Sequence, residues 1–213
     1  MVSQTNELAL EIAIEQALSG MTTEAYKQAG EVKESPVGQL VANNGFELGL
    51  PSDFNPQYAL DEKQFWRFLE KTQEQELGKL QKHNPSDWRR KLIERYDRLI
   101  KKHGILYLLK KGLAVDDAHF QLMYPAPLAS SSEKVRQNFT ANIFSCTRQV
   151  RYSQANPLHE IDMVLFLNGI PLVTMELKNP WTGQTARYQG QKQYREGRDA
   201  SQPLLSFARC LVH

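Results

Sequence analysis

The sequence predicts an α+β, or mixed α/β, fold, and three observations carry that prediction. Helical periodicity dominates the chain as far as residue 102. Two almost wholly apolar segments then meet at an Asn-Gly pair, and a polar helical segment follows them. Helices, then a hairpin, then a helix is the order of a sheet covered by helices.

The elements follow in turn. Over residues 6–18 apolar side chains recur at helical spacing (Leu8, Leu10, Ile12, Ile14, Leu18), and Gly20 ends that helix. Residues 27–60 scatter Gly, Pro, Asn and Ser and read as a long connection, with Pro51, Asp53, Asn55 and Pro56 as turn material. A second helix spans 61–82 on Phe65, Phe68, Leu69, Leu77 and Leu80. A third spans 86–102, with Ser86 as N-cap and His103-Gly104 as its stop. Residues 105–109 fit a strand or a short helix equally well. Residues 119–124 read as a strand broken by Pro125 and Pro127, residues 130–132 as a loop, 133–139 as a helix and 144–152 as a strand. Residues 161–167 and 170–178 are the two apolar strands, joined at Asn168-Gly169, and a polar helix spans 185–198. The expected organisation is one domain over 1–213. Residues 1–60 form the N-terminal helix and connection, 61–117 a helical portion, and 118–213 the sheet and its helix. Cys210-Leu211-Val212-His213 reads as a strand still in progress, so a piece of a longer protein is expected.

With 213 residues, 41% apolar and 23% charged, the chain is long enough to bury a core and too apolar to be disordered. No apolar run approaches the roughly 18 residues of a membrane helix, and no signal-peptide pattern opens the chain. Cys146 and Cys210 are too few for a disulfide framework or a zinc cage; burial in a reducing, cytoplasmic protein is expected of them. The net charge of +2 hides an asymmetry. Residues 1–80 hold 6 Lys and Arg against 13 Asp and Glu, and residues 81–213 hold 20 against 11. A polyanion is repelled by the first part and drawn to the second.

Strands this apolar are buried on both faces, so Asp162, Glu176 and Lys178 stand out. A charge in that setting costs several kcal/mol unless it is paired or holds a metal. Glu176 and Lys178, two apart, project from one face of a strand, and Asp162 lies on the partner strand at the same end of the hairpin. Two carboxylates and an ammonium suit metal-assisted phosphodiester hydrolysis. The carboxylates hold Mg²⁺, and the lysine orients the nucleophile. Register tests the idea. A strict two-residue Asn168-Gly169 loop pairs Asp162 with Met175 and turns it away from Glu176. The site therefore needs an odd-length loop or one β-bulge, and a three-residue loop with Gly169 in the left-handed bulge position meets that need. A structural salt bridge between Asp162 and Lys178, with Glu176 reaching solvent, fits the same spacing.

The run from Glu160-Ile161-Asp162 through Leu165-Phe166-Leu167-Asn168-Gly169-Ile170-Pro171-Leu172 to Glu176-Leu177-Lys178-Asn179-Pro180 resembles the N-terminal nuclease domain of the type I restriction enzyme R subunit (HsdR). Phe139-Thr140-Ala141-Asn142, Arg148-Gln149-Val150, Leu60, Phe68 and Thr72-Gln73 extend the likeness over most of the chain. The resemblance implies a PD-(D/E)xK nuclease fold with a mixed central sheet flanked by helices. It makes Asp162 and Glu176 the metal carboxylates and Lys178 the catalytic lysine, with Mg²⁺ as cofactor and Mn²⁺ as a substitute. That family also carries a Gln-x-x-x-Tyr motif on the following helix. Gln184 and Tyr188 match it literally but come early. Tyr194, with Gln189 or Gln191, sits better on the helix, although Gly190 occupies the glutamine position. Some nucleases of this superfamily add an acid from a helix. Glu11 and Glu15, one turn apart, are candidates, with a solvated helix face the favoured reading.

Residues 88–111 hold nine Lys and Arg against Glu94 and Asp97, interleaved with Trp88, Tyr96 and Tyr107. They fit a phosphate-contacting surface and a solvated helix face equally. Arg187, Lys192, Arg195 and Arg198 lie closer to the carboxylates and are the favoured DNA contacts. His159-Glu160 lacks the second histidine of a zinc protease. The chain has no G-x-x-x-x-G-K-[ST], so ATP would be used only through a motor region outside it.

The reading is a Mg²⁺-dependent endonuclease domain acting on double-stranded DNA. The resemblance implies motor domains in the same full-length chain, methyltransferase and specificity subunits as partners, and no membrane. Two alternatives stand beside it. One is a docking module in which residues 61–120 bind the motor or the methyltransferase core. The other is a standalone PD-(D/E)xK repair nuclease.

Overall fold

The computed structural model describes residues 2–29, 45–156, 158–178, 191–199, 201–206 and 208–212. Helix α1 (Val2–Ser19) ends at Gly20, as its sequence predicts, and a short helix α2 (Thr23–Gln28) follows, capped by the Thr22 side chain. Strand β1 (Phe46–Leu48), the 3₁₀ turn Pro51–Asp53 and a small antiparallel pair, β2 (Phe54–Asn55) with β3 (Leu60–Asp61), lead to the helical portion.

The single helix expected over 61–82 is two, α3 (Glu62–Thr72) and α4 (Glu74–His83). The break falls at Gln73. Its side chain donates to the Gln121 carbonyl at 2.9 Å and accepts from the Gln121 amide at 2.6 Å, so a distant strand end holds the backbone at the junction. Asp61 caps α3 by accepting from the Gln64 amide. The third helix, α5 (Trp88–His103), has its cap one residue beyond the expected one, at Asp87 rather than Ser86. Residues 105–111 are helical, α6 (Ile105–Lys111), and not a strand. The strand expected from 119 is the shorter β5 (Ala118–Phe120), paired with β4 (Leu113–Val115), which the periodicity did not reveal.

Helix α7 (Glu133–Thr140) leads into the central sheet of β6 (Phe144–Arg151), β7 (Glu160–Leu167) and β8 (Ile170–Met175), in the order β1-β6-β7-β8. β1 runs parallel to β6 and the other pairs are antiparallel, so the sheet is mixed. Val212 adds a parallel bridge to Val173 at the outer edge of β8. With helices packed around it, this is the mixed sheet the resemblance implies.

Two apolar cores hold the fold. The larger packs α3 to α6 and β3 to β5 against Leu167 and Ile170 at the turn end of the β7–β8 hairpin. The smaller gathers Phe54, Val150, Tyr152, Ile161, Val164, Phe166, Leu204 and Leu205, with Tyr194 against it. Cys146 and Cys210 are buried free thiols. Among the described residues no helix is long and apolar enough to cross a membrane.

Candidate active site

The β7–β8 hairpin sets the geometry. Asn168 and Gly169 both take positive φ, 52° and 78°, and Leu167 pairs directly with Ile170, so the loop has two residues and not three. The turn is buried. Asn168 accepts from the Ile143 amide and donates to the Leu122 carbonyl, and the Gly169 carbonyl accepts from the Asp61 amide.

The irregularity the site requires comes from the strand instead. Phe166 pairs with Pro171, but Leu165 pairs with Val173, leaving Leu172 as an extra residue in β8. Pro171 has no amide to give the ladder, so an interruption beside it sacrifices no donor there. Beyond the bulge Val164 pairs with Thr174 and Met163 with Met175. Continued by one residue, that register sets Asp162 across from Glu176, and cross-strand partners share a face.

Asp162 accepts from the Leu177 amide at 2.6 Å, which ties the start of one strand to the end of the other. Glu176 is nearly inaccessible, its side chain 1% exposed, and Lys178 Nζ lies 4.0 Å from its Oε2. That oxygen is buried and accepts no hydrogen bond. Burial first, and the Asp162 charge second, push Glu176 up to about 7. Burial also raises Asp162, against the pull of its hydrogen bond from Leu177 and of Lys178. Glu176 therefore does not reach solvent, and Lys178 stands beside it.

Arg198, expected to contact DNA, is turned inward. It pairs with Glu176 Oε1, donates to the Tyr152 hydroxyl at 3.1 Å and lies over that ring. Residues 193–197 form a π-helical turn. From it Tyr194 donates to Thr174 Oγ1 at 3.0 Å, two residues before Glu176, and burial pushes its hydroxyl up to about 12. Tyr194 thus stands against the strand that leads to Glu176. Gln184, Tyr188, Gln189 and Arg187, with most of the helix expected over 185–198, lie outside the described residues, as does the Arg195 side chain. Gln191 is exposed, and Lys192 is an exposed partner of Glu196.

The first helix departs most from expectation. Leu8 and Leu10 are 39% and 38% exposed, while Glu11 and Glu15 are buried, so their face is not solvated. The cause is Arg148 on β6, itself buried. Its guanidinium lies 2.9 Å from Glu15, 3.8 Å from Glu11 and 2.5 Å from Glu24. Glu15 also accepts from the Thr23 amide and hydroxyl. Gln149, at φ 53°, goes unpaired in the β6–β7 ladder although the register runs on unshifted past it, and it hydrogen-bonds Glu11. Burial, with Asp162 as the next cause, pushes Glu11 up to about 7, so this helix brings a further carboxylate towards the hairpin. Glu7 also repels Asp162 and holds a buried oxygen without a hydrogen bond. Glu7, Glu11 and Glu15 share one helical face with no basic residue on it, and that spacing was the signal available in the sequence. Nothing local marked Arg148 or the inward turn of Arg198.

These groups suit a hard divalent cation. Asp162 and Glu176 bring carboxylate oxygens to one face, one of them buried without a donor. Among the described residues no group of three or more His, Cys, Asp or Glu could enclose an ion unaided. An ion held by these two carboxylates alone would leave its remaining positions to water and substrate, as Mg²⁺ does.

The family model for the type I restriction enzyme R protein N terminus matches residues 27–213. No curated protein matches, and no solved structure matches.

Proposed function

The chain belongs to the type I restriction enzyme R protein N-terminal family, and from that premise we propose that it is the endonuclease domain of the restriction subunit, hydrolysing double-stranded DNA with Mg²⁺. The observation that supports this most is the bulge at Leu172, which turns Asp162 and Glu176 to a common face beside Lys178. A purely structural hairpin has no need of that irregularity.

Asp162 and Glu176 would hold the cation, which when bound neutralises charge on the phosphate and acidifies water. Lys178 orients the attacking water and stabilises negative charge developing on the phosphate oxygens. Before Glu176 can serve as a ligand it must lose its proton and loosen its pairing with Arg198. The guanidinium so released is by its chemistry a phosphate binder. Tyr194 acts as a positioning residue, bracing the strand through Thr174. Mn²⁺ substitutes for Mg²⁺. ATP is consumed by motor domains elsewhere in the full-length chain, the specificity subunit supplies sequence recognition, and the methyltransferase subunit completes the complex.

The test is cleavage of plasmid DNA by the assembled enzyme carrying Asp162→Ala, Glu176→Ala or Lys178→Ala. Each variant should lose cleavage and keep ATP hydrolysis. In calorimetric titrations with Mn²⁺, the two carboxylate variants should lose binding and Lys178→Ala should keep it. Retained cleavage in Glu176→Ala would sink the assignment. One observation favours the docking reading: Arg198 already pairs with Glu176, as a structural ion pair does. Mn²⁺ binding unchanged in both carboxylate variants would support that reading.

A further inference from the structure

The cations of helix α5 divide into paired and unpaired ones. Arg89 pairs with Glu70, Arg90 with Asp87 and Glu94, and Lys91 with Asp116. Asp97 is taken by Lys101 and Arg209. Arg95, Arg98 and Lys102, at successive three- and four-residue steps, lie along one stripe of the helix. Among the described residues no carboxylate pairs with Arg98, Lys102 or Lys111.

These cations line an open groove of about 650 Å³ between α5, α6 and the β4–β5 hairpin, and none of the residues lining it is Asp or Glu. Arg95 is fixed in its wall by donating to the Ala114 carbonyl at 3.2 Å. The floor is close-packed. Gly112 takes φ 72°, and a Cβ there would lie 2.4 Å from the Phe120 carbonyl oxygen. At the rim Tyr107, 46% exposed, stacks on His103 with ring centroids 4.6 Å apart.

We propose that this groove binds the phosphates of a DNA strand at a site separate from the carboxylate centre. Unpaired cations without a competing acid attract phosphate wherever it comes from. Cations strung along α5 at three- and four-residue steps, about 4.5 and 6 Å apart along the axis, suit the spaced phosphates of a nucleic-acid backbone better than the clustered phosphates of a free nucleotide. The groove belongs to the helical portion that packs on the turn end of the β7–β8 hairpin. Asp162 lies five residues further along β7, about 16 Å at the rise of a strand. A duplex reaching both would be gripped away from the bond it presents for cutting. That DNA is the ligand rests on the nuclease reading; the pull of the groove on phosphate does not.

The experiment is fluorescence anisotropy of a labelled duplex with this chain in EDTA, so that nothing is cut. It compares wild type with the triple variant Arg98→Gln, Lys102→Gln, Lys111→Gln, with melting curves to show that the variant folds. The variant should bind at least about tenfold more weakly. Its slope of log affinity against log salt should be shallower by about 2 to 3, near 0.9 per lost phosphate contact. Unchanged affinity and slope overturn the proposal, even if Glu176→Ala abolishes cleavage. Displacement of the duplex by an equal concentration of ATP assigns the groove to a free nucleotide and also overturns it. Weakened binding in the triple variant upholds the groove even if cleavage survives Glu176→Ala.

Discussion

Arg198 pairs with Oε1 of Glu176, while the other oxygen of that carboxylate stands 4.0 Å from Lys178 Nζ. Two cations thus compete for a group that the proposed chemistry needs as a metal ligand. At about pH 8, where the proton no longer competes, Arg198→Gln should tighten Mn²⁺ binding several-fold in calorimetry. Weaker binding would show instead that the guanidinium holds Glu176 in its ligating position.

Burial sets Glu176 and Glu11 near 7, above the ordinary 4.5. Below about pH 4.5 folded and unfolded chains both hold these protons. Between about 4.5 and 7 the unfolded chain releases protons that the folded chain keeps, so stability falls as pH rises; above 7 the loss is complete. Glu176→Gln cannot ionise. It should match wild type near pH 4 and exceed it near pH 8 by on the order of 2 kcal/mol, read from melting curves. Parallel curves at every pH would mean that ionising Glu176 costs the fold nothing.

Gly169 sits at φ 78°, and a Cβ there would lie 2.3 Å from the Asp61 carbonyl oxygen and 2.7 Å from the Phe65 amide nitrogen. Both obstacles are backbone, so no side chain can swing aside. Gly169→Ala should destabilise the protein by about 3 kcal/mol or more in urea unfolding. A change within about 0.5 kcal/mol would mean that the turn is less tightly seated on α3 than its contacts imply.

Arg148 is the cation around which α1 turns its acidic face inward. Its removal strands Glu15 in the interior without a charge partner, a loss of about 3 to 5 kcal/mol for a buried pair. Arg148→Met should show that loss in urea unfolding. Arg148→Lys should recover only part of it, because one ammonium cannot span carboxylates from two helices as a guanidinium fork does. Pairing Arg148→Met with Glu15→Gln should return more than Lys does. An Arg148→Met variant as stable as wild type would remove the clamp from the account.

Much of the architecture was legible in the sequence because it rests on neighbours in the chain. The Asn168-Gly169 turn, the apolar strands around it, the stops at Gly20 and Gly104 and the helix before β6 are specified by local periodicity and turn chemistry. From the parity of the register alone, a site shared by Asp162 and Glu176 also needs an irregularity in the hairpin, and β8 has one. Which irregularity was chosen depended on the surroundings. The turn is clamped by Ile143, Leu122 and Asp61, so the extra residue went to Leu172 beside Pro171.

The remainder was decided by contacts between residues far apart in sequence. Gln121 splits the second helix at Gln73, Arg148 reverses the face of α1, and Arg198 turns in to Glu176. Periodicity reports where apolar side chains gather on one element. It does not report which buried charge another element will bring to meet it, and desolvated charges must find such partners. The sequence by itself therefore determined the hairpin and the acid, acid, lysine spacing. Only the tertiary structure decided which charges those groups meet.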